Sequence, residues 1–453
     1  MHNAFDIAAD LDTPVSAYIK LAGLRPRFLL ESVEGGELIG RYSFIGFGNG
    51  REYRLNGQVP ADISSREDVL NALREELRQA PRPGPELPEI PFHGGLVGYT
   101  AYRFGALLES SVAKATDAGS VLAAYFAPES LLVFDHVTRR AALLHDGSEK
   151  ERNALRSEVI AALRSSIGNR RRMRRHSPPT HSFSRPQFLD AVGYAKGQIS
   201  AGEVYQLVLS VQFSGDCEAD PFEVYRALRL LNPSPYMYFC EFDDLAVVGS
   251  SPEALVRLNG KQAALRPIAG TRPRGGSKEE ELAFERELLA DAKEGAEHVM
   301  LVDLARNDLG RVAVNGSVTV DPYRTVEKYS HVMHIVSGVR GVLRPDADAF
   351  DLFAASFPAG TVVGAPKVRA MELIDEIEPV SRGVYAGTVG YFGNSGSMDQ
   401  AIAIRTLVFQ NGSYAYQAGA GIVADSSPAA EYEEILAKSA ALEASLVLAE
   451  EGL

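Results

Sequence analysis

Glutamates at helical spacing occur twice in this chain. Glu294 and Glu297 lie three residues apart in KEGAEHVMLVDL, and Glu431 and Glu434 have the same spacing in EYEEILAK. Residues i and i+3 share a helix face, and carboxylate oxygens are the ligands that Mg²⁺ prefers. The same spacing is typical of two solvated faces, the second with a Glu434–Lys438 pair. From the spacing alone, two solvated faces are the favoured interpretation, because such pairs are common on helices.

Glycine-containing segments are a second group of candidates. PIAGTRPRGG (267–276) and FPAGTVVGAPK (357–367) both contain Ala-Gly-Thr, and a third segment, GAG, begins at residue 419. Such loops expose backbone N–H groups to anions, although each segment is also compatible with an ordinary turn. Their candidate residues are Gly270, Thr271, Thr361, Gly419 and Gly421. GFGNG (46–50) lacks the spacing of a nucleotide-binding loop and predicts a hairpin turn.

Four polar residues within apolar surroundings form the third group: Arg405, Tyr385, His334 and Glu253. A buried arginine needs an anionic partner, which a substrate carboxylate or a structural glutamate supplies. His334 suits proton transfer, and Glu253 suits a general acid. When each of the four is taken alone, a structural role is the favoured explanation.

Local patterns predict the elements that position these residues. Ser427 followed by Pro428 is a typical helix start. The mostly apolar face of that helix consists of Tyr432, Ile435, Ser439 and Leu442. Further helices are predicted at 66–79 and through most of the segment from Ala283 to a stop near Gly310.

Strands are predicted at 41–48, 383–393 and 397–424, and as a hairpin over 130–145 with its turn near Thr138 and Arg139. Asn411–Gly412 is a typical hairpin turn within the third of these segments. The mixture predicts an α+β fold with large antiparallel β-sheets forming a sandwich flanked by helices.

Composition bounds the function. The chain has 453 residues and a net charge of −13, which disfavours binding to nucleic acid or to an anionic membrane. The two cysteines exclude a disulfide framework. The N-terminus lacks the pattern of a signal peptide, so we expect a cytoplasmic protein. A basic, Ser/Pro-rich linker at 164–186 is predicted to separate an N-terminal region (1–163) from a C-terminal catalytic region (187–453).

From about residue 187 to 447 the sequence resembles the chorismate-utilising enzymes. The matching stretches include GEVYQLVLS, SSPEALVRL, RPIAGTRPRG, KEGAEHVMLVDLARNDLGRV, FPAGTVVGAPKVRAMELIDEIEP, RGVYAGTVGYFG and GAGIVADSSPAAEYEEILAK. LLESVEGGELIGRYSFIG extends the resemblance towards the N-terminus. The resemblance implies the fold of that family and a site for chorismate.

Three features favour the anthranilate-forming branch of the family. Gln206 stands where water-using members carry a lysine base, and Ala269 stands where many aminodeoxychorismate synthases carry a lysine nucleophile. LLES (29–32) and NPSPYMYF (232–239) resemble two halves of a tryptophan feedback site. The residues assigned to that site are Leu30, Glu31, Ser32, Asn232, Pro235, Tyr236 and Met237.

The resemblance implies a role for each candidate. Mg²⁺ held by Glu297 and Glu434, supported by Glu294 and Glu431, binds the ring carboxylate of chorismate. Glu253 protonates the leaving hydroxyl, and His334 acts in the elimination of pyruvate. Gln206 occupies the position of the lysine base of water-using members, since ammonia is already a nucleophile and needs no base to activate it. Substrate binding is assigned to Gly270, Thr271, Thr361, Tyr385, Arg405, Gly419, Ala420, Gly421 and Lys438.

The absence of a glutaminase sequence implies that a separate glutamine amidotransferase subunit supplies the ammonia. Two other enzyme classes share the pocket, the aminodeoxyisochorismate and the aminodeoxychorismate synthases. A non-catalytic tryptophan-binding regulator is a third alternative, which the retained carboxylates, His334 and Arg405 disfavour.

Overall fold

The computed structural model describes residues 5–32, 40–57, 65–109, 120–168, 175–329 and 332–453. Residues 33–39 of the stretch LLESVEGGELIGRYSFIG and residues 169–174 of the basic linker lie outside these ranges. So does His331, the first residue of a further matched stretch, HVMHIVSGVRG. The α-helices are α1 (Pro14–Lys20), α2 (Arg66–Gln79), α3 (Gly105–Leu108), α4 (Glu149–Leu163), α5 (Arg185–Ser200), α6 (Pro221–Leu231), α7 (Lys278–Ala290), α8 (Ala292–Gly310), α9 (Ala349–Ser356), α10 (Lys367–Ile377) and α11 (Pro428–Glu451).

The β-strands are β1 (Ile7–Ala8), β2 (Pro26–Glu31), β3 (Tyr42–Phe47), β4 (Arg51–Asn56), β5 (Gly95–Thr100), β6 (Val121–Ala127), β7 (Ser130–Asp135), β8 (Arg140–His145), β9 (Thr180–His181), β10 (Gln206–Asp216), β11 (Tyr236–Glu241), β12 (Leu245–Ser251), β13 (Ala254–Asn259), β14 (Gln262–Leu265), β15 (Ile268–Pro273), β16 (Thr319–Val320), β17 (Thr325–Lys328), β18 (Val332–Val336), β19 (Val339–Val342), β20 (Gly364–Ala365), β21 (Thr388–Gly393), β22 (Met398–Ile402), β23 (Thr406–Gln410) and β24 (Ser413–Ile422).

All strand pairs of the described residues are antiparallel, and they form three sheets. The 12-stranded sheet has the order β1-β8-β7-β3-β2-β11-β12-β23-β24-β10-β20, with β9 paired to β10. The nine-stranded sheet has the order β16-β19-β14-β13-β22-β21-β5-β6-β4, and β15-β18-β17 form a small third sheet. The predicted α+β fold with large antiparallel sheets is confirmed.

The two large sheets pack face to face because their strands alternate in side-chain direction. Phe28 and Phe44 of one sheet join Val97 and Tyr391 of the other in one buried cluster between the sheets. The neighbouring residues in sequence point outwards, and Leu29, for example, belongs to a second cluster that includes residues of the helices. This alternation follows from the two-residue period of a strand.

Strands from both predicted regions share the two large sheets. β2 of the N-terminal region pairs with β11 of the C-terminal region, and β5 pairs with β21. The predicted ranges 1–163 and 187–453 therefore do not correspond to two separately folded bodies. Hydrogen bonding between distant segments joins them into one sandwich.

Most predicted elements are observed. The helix at 66–79 is α2, and the 130–145 hairpin is the β7–β8 pair. The turn at Asn411–Gly412 joins β23 to β24 with positive φ at both residues. The long helical segment is two helices, because the Asp291 carboxylate caps α8 by accepting from the N–H groups of Lys293 and Glu294.

Two local predictions need correction. GFGNG joins β3 to β4, but these strands belong to different sheets, so the turn is not a hairpin. In 383–393, only Thr388–Gly393 is a strand. No helix among the described residues has the length and apolar character needed to span a membrane.

Candidate functional site

A cavity of about 700 Å³ opens near the point where the chain passes from one large sheet to the other. β24 pairs with β23 only as far as Tyr416, which lies opposite Leu407. The remainder of β24, up to Ile422, therefore has one edge that is free of β23. Arg405, between β22 and β23, has a positive φ of 51°. That conformation is uncommon for a residue with a side chain and is typical of functional sites.

The cavity brings together nearly all residues that the sequence predicted. The three catalytic candidates His334, Glu253 and Gln206 line it. So do the four glutamates Glu294, Glu297, Glu431 and Glu434. The substrate-binding candidates that line it are Gly270, Thr271, Thr361, Tyr385, Arg405, Gly419, Gly421 and Lys438.

Ala420 is the exception among the substrate-binding candidates. Its side chain is fully buried in the hydrophobic core behind β24, because successive strand residues point to opposite faces. Gly419 and Gly421 face the cavity, whereas the methyl group of Ala420 does not. Ala420 can therefore contribute only its backbone groups to substrate binding.

Glu253 follows β12 and faces Thr361 across the cavity wall. Part of its surface faces the open cavity, but the residue lies deep in the protein, and this burial raises the pKa of its carboxyl to about 8. Thr361 and Lys438 act in the opposite direction with smaller effects. The Thr361 hydroxyl is buried and forms no hydrogen bond of good geometry within the described residues. At neutral pH Glu253 is consequently a protonated acid beside an open hydrogen-bonding position.

His334 lies in β18, and its ring is oriented by one backbone group. Its Nδ1 lies 2.7 Å from the carbonyl oxygen of Gly270 and 3.2 Å from Thr271 Oγ1. A carbonyl oxygen only accepts hydrogen bonds, so Nδ1 carries the proton and Nε2 has a free lone pair. Burial lowers the pKa of His334, and the charge of Arg405 lowers it further. His334 is thus a neutral imidazole suited to accept a proton.

The four glutamates come from two helices, α8 and α11, which both contribute to the cavity wall. Burial raises the pKa of Glu297, and the charges of Glu294 and Glu434 raise it further. Among the described residues, no group of three or more His, Cys, Asp or Glu side chains is already arranged to hold a metal ion. Glu434 pairs with Lys438 at 2.7 Å. The donor chemistry fits a hard cation, which would offset the repulsion among these carboxylates.

The glycines of the cavity wall are required by close contacts. A Cβ at Gly419 would lie 2.5 Å from Tyr385 Oη, and a Cβ at Gly421 would lie 2.6 Å from Gln206 Nε2. Gly270 has a φ of +66°, and a Cβ there would lie 3.1 Å from a carboxylate oxygen of Glu294. The glycines therefore let the functional side chains lie directly against the backbone.

The two halves of the predicted regulatory site are neighbouring strands. β2 and β11 pair so that Leu30 lies opposite Tyr238 and Glu31 opposite Met237. The buried Glu31 carboxylate accepts hydrogen bonds from Arg229 Nε at 3.0 Å and from the Tyr225 hydroxyl. It therefore anchors β2 to α6, and its charge is already neutralised by Arg229 in this arrangement.

The other regulatory candidates connect this strand pair with the cavity. Asn232 and Pro235 line the cavity itself, and the carboxamide oxygen of Asn232 lies 3.5 Å from Arg405 Nη1. The Tyr236 hydroxyl donates to Asp399 at 3.0 Å. Met237 is buried in the core, and Ser32 follows the end of β2. The segment predicted to bind a regulator thus adjoins the residues predicted to bind substrate.

Several residues of the wall were missed by sequence reasoning. Gln417 lies on the cavity face two positions before Gly419, and strand alternation alone could have identified it. Val208, Lys293, Tyr329 and Val362 carry no such local signal. Their places depend on how distant elements meet.

Comparison with known proteins identifies the family of this chain. The family model described as chorismate binding enzyme matches residues 25–444, so the chain belongs to the chorismate binding enzyme family. Anthranilate synthase component 1 of Pseudomonas aeruginosa is 46% identical, over 99% of this chain and 96% of that protein. The protein of the same name from Thermus thermophilus is 44% identical, over 98% and 97%.

Solved structures show the same fold. Anthranilate synthase component I from Streptococcus pneumoniae superposes with a TM-score of 0.78 at 35% identity, covering 96% of this chain and 98% of that one. The isochorismate synthase MenF from Escherichia coli superposes with a TM-score of 0.71 at 21% identity, covering 95% and 91%. The predicted family and fold are confirmed.

Proposed function

We propose that this chain is the chorismate-binding component of an anthranilate synthase, which converts chorismate and ammonia into anthranilate, pyruvate and water. The observation that carries the proposal is the convergence of Glu253, His334 and four further glutamates on one cavity. The two relatives from Pseudomonas aeruginosa and Thermus thermophilus carry the name of this enzyme, and each matches this chain over nearly its full length. The reaction is a lyase reaction and the first committed step towards tryptophan.

Glu253 is the general acid of the first half-reaction. Ammonia forms a bond to C2 of the chorismate ring, the ring double bonds shift, and the C4 hydroxyl leaves as water with the proton of Glu253. A carboxyl with a pKa of about 8 holds that proton at neutral pH. The product of this step is aminodeoxyisochorismate.

His334 is the base of the second half-reaction. Its Nε2 takes the proton from C2, the bond between C3 and the enolpyruvyl oxygen breaks, and the ring becomes aromatic. The leaving group is the enolate of pyruvate, which takes up a proton to become pyruvate. The Gly270 carbonyl keeps the proton on Nδ1, which leaves Nε2 available.

Substrate binding uses the cavity wall. Arg405, Tyr385 and the backbone of Gly419–Gly421 hold the enolpyruvyl carboxylate. Gly270, Thr271, Thr361 and Lys438 line the remainder. The Lys438 ammonium, which donates to the carbonyl of Gly419 at 3.0 Å, adds positive charge beside Glu434.

Mg²⁺ is the proposed cofactor, with Glu297 and Glu434 as the main ligands and Glu294 and Glu431 in support. When bound, the ion neutralises the ring carboxylate of chorismate and withdraws electrons from the ring. The part of this chain is to present two glutamates from α8 and two from α11 to the cavity.

Ammonia reaches the site from a glutamine amidotransferase subunit, anthranilate synthase component II. Gln206 and Ala269 both line the cavity, where neither side chain can act as a base towards water or form a covalent intermediate. Tryptophan is the proposed feedback inhibitor, acting at the β2–β11 pair and Asn232–Tyr236. The cytoplasmic location remains a prediction.

The test is an assay of the purified chain with chorismate, Mg²⁺ and ammonium, followed by anthranilate fluorescence and product separation. We expect anthranilate and pyruvate in equal amounts, and a decrease of both when tryptophan is added. A non-fluorescent amino product that accumulates would instead identify an aminodeoxyisochorismate or aminodeoxychorismate synthase. If tryptophan left the rate unchanged, only the assignment of the tryptophan feedback site would be contradicted.

A further inference from the structure

A fully buried ion pair lies behind the cavity wall. Glu378, directly after α10, and Arg382 have side chains that are 3% and 1% exposed. Arg382 Nε donates to Glu378 Oε2 at 2.9 Å and its Nη2 donates to Oε1 at 2.7 Å, which is a two-pronged contact. Neither residue lines the cavity, and neither was a candidate in the sequence.

The arginine binds two segments of the wall. Its Nη2 donates to the carbonyl of Val208 in β10 at 2.8 Å, and its Nη1 donates to the carbonyl of Val362 at 2.7 Å. Val208 and Val362 both line the cavity, and Val362 follows Thr361. The guanidinium carbon also lies 5.5 Å from the ring centre of Tyr385, a distance that allows a cation–π contact.

The glutamate binds the same strand, β10, two residues further along. Its Oε1 accepts hydrogen bonds from the backbone N–H of Ser210 at 2.8 Å and from Ser210 Oγ at 2.7 Å. Ser210 Oγ in turn accepts from Gln417 Nε2 at 2.8 Å. Because the serine donates its only hydroxyl hydrogen to Glu378, it can only accept from Gln417, and this fixes the orientation of the Gln417 amide.

A buried ion pair is weak evidence for stability. Removing two charges from water costs about as much as their attraction returns, and neutral replacements of both partners are often tolerated. This pair instead fixes the relative positions of three segments. Four N–H groups of one rigid guanidinium connect the end of α10, β10 and the loop at Thr361–Val362. Such a unit is suited to holding several side chains at one spacing.

We propose that Glu378 and Arg382 are positioning residues for substrate binding. They hold Tyr385, the Thr361–Val362 loop and β10 at the separation that fits chorismate. This inference rests on the proposed function in naming chorismate as the ligand. Its consequence is that neutralising the pair weakens substrate binding more than it weakens the fold.

The decisive variant is the double substitution Glu378→Gln/Arg382→Met. It leaves no unpaired buried charge, and the carboxamide oxygen introduced at position 378 can still accept from Ser210. We expect a melting temperature only a few degrees below that of the wild type, because the carbonyls of Val208 and Val362 lose a donor. The KM for chorismate should rise about tenfold, and the KM for ammonium should be unchanged. A purely structural pair would lower the amount of folded enzyme and leave the KM for chorismate within twofold, which would overturn the proposal.

A matched control is Arg369→Met/Glu372→Gln, which neutralises a partly exposed pair on α10 itself. It should change neither KM. If the first double variant does not fold, Arg382→Lys decides, since it keeps the charge but loses the two-pronged geometry. A KM for chorismate equal to that of the wild type in Arg382→Lys would also overturn the proposal.

Failure of the proposed function gives a different result. In that case the wild-type chain itself produces no anthranilate from chorismate and ammonium. The pair is then tested by chorismate-dependent protection in thermal unfolding. Equal protection of the wild type and the double variant would overturn the positioning role.

Discussion

Glu31 and Met237 lie directly opposite each other in the antiparallel pairing of β2 with β11. More than two hundred residues separate them in sequence. Their pairing joins the N-terminal region to the segment that leads into the cavity at Asn232–Pro235. A ligand that altered this strand pair would act on a segment that runs directly into the substrate site. Such a connection allows reciprocal coupling between the two sites.

The anchor of this strand pair predicts a stability effect. Arg229→Met leaves the Glu31 carboxylate, which is 1% exposed, without its cationic partner. We expect a loss of about 3 kcal/mol in the free energy of unfolding, because an unpaired buried charge is costly. Urea unfolding measures the change. Arg226→Met on the same helix, whose partner Glu223 is more exposed, is the control and should cost much less.

Glu253 predicts a specific pH dependence. Its carboxyl has a pKa of about 8, so turnover should fall as the pH rises through that value and the acid loses its proton. Glu253→Gln should reduce turnover by about a hundredfold or more. A profile of kcat with no alkaline limb near pH 8 would contradict the role. Glu433→Gln, on the exposed side of α11, is the control.

The same group affects stability with a defined sign. Unfolded, the carboxyl ionises near 4.5, and folded it ionises near 8. Between these values the folded state holds the extra proton, so this contribution to stability is present at low pH and is lost as the pH rises. Glu253→Gln should therefore gain stability relative to the wild type between about pH 5 and pH 8, measured by melting temperature.

His334→Gln separates the two half-reactions. The variant should consume chorismate and ammonium but accumulate the amino intermediate, because the base for C2 is absent. Product separation with absorbance detection would show the intermediate, while anthranilate fluorescence falls by about a hundredfold. His181→Gln, an exposed histidine of β9, serves as the control. Simultaneous loss of both steps would argue against the assignment.

The carboxylates predict a metal dependence. Glu297→Gln and Glu434→Gln should each lower turnover by about a thousandfold and weaken Mg²⁺ binding measured by calorimetry. A chelator should abolish activity, and added Mg²⁺ should restore it. Near-normal turnover in both variants would remove the metal assignment. The Glu433→Gln variant again tests whether charge alone is responsible.

A steric relationship offers a rescue experiment. Gly419→Ala places a methyl group 2.5 Å from Tyr385 Oη, so the KM for chorismate should rise about tenfold. The methyl group should also lower the melting temperature. Adding Tyr385→Phe removes the oxygen and should recover part of that lost stability, whereas the KM stays raised because the Tyr385 hydroxyl also binds substrate. Gly193→Ala, where a Cβ meets nothing within 4 Å, should be silent. If the double variant is no more stable than Gly419→Ala alone, the Tyr385 contact is not the cause.

The local features of the site were predictable from the sequence. Three features depend on neighbouring residues only: the start of α11 with Pro428 in its first turn, the turn that joins β23 to β24, and the Glu-x-x-Glu spacing. The Ser427 side chain, predicted to cap α11, makes no capping hydrogen bond. Helix and strand periods act over a few residues, so the order of the chain is enough to predict them. The family resemblance then assigned roles to residues that spacing alone had left as candidates.

Only the tertiary structure decided which candidates meet. Glu294 of α8 and Glu434 of α11 line the same cavity although more than a hundred residues separate them in sequence. The burial that raises the pKa of Glu253, the αL turn at Arg405 and the Glu378–Arg382 pair also depend on long-range packing. Sheet pairing and desolvation are properties of the assembled core, since a side chain's dielectric surroundings and partners come from segments that are distant in sequence.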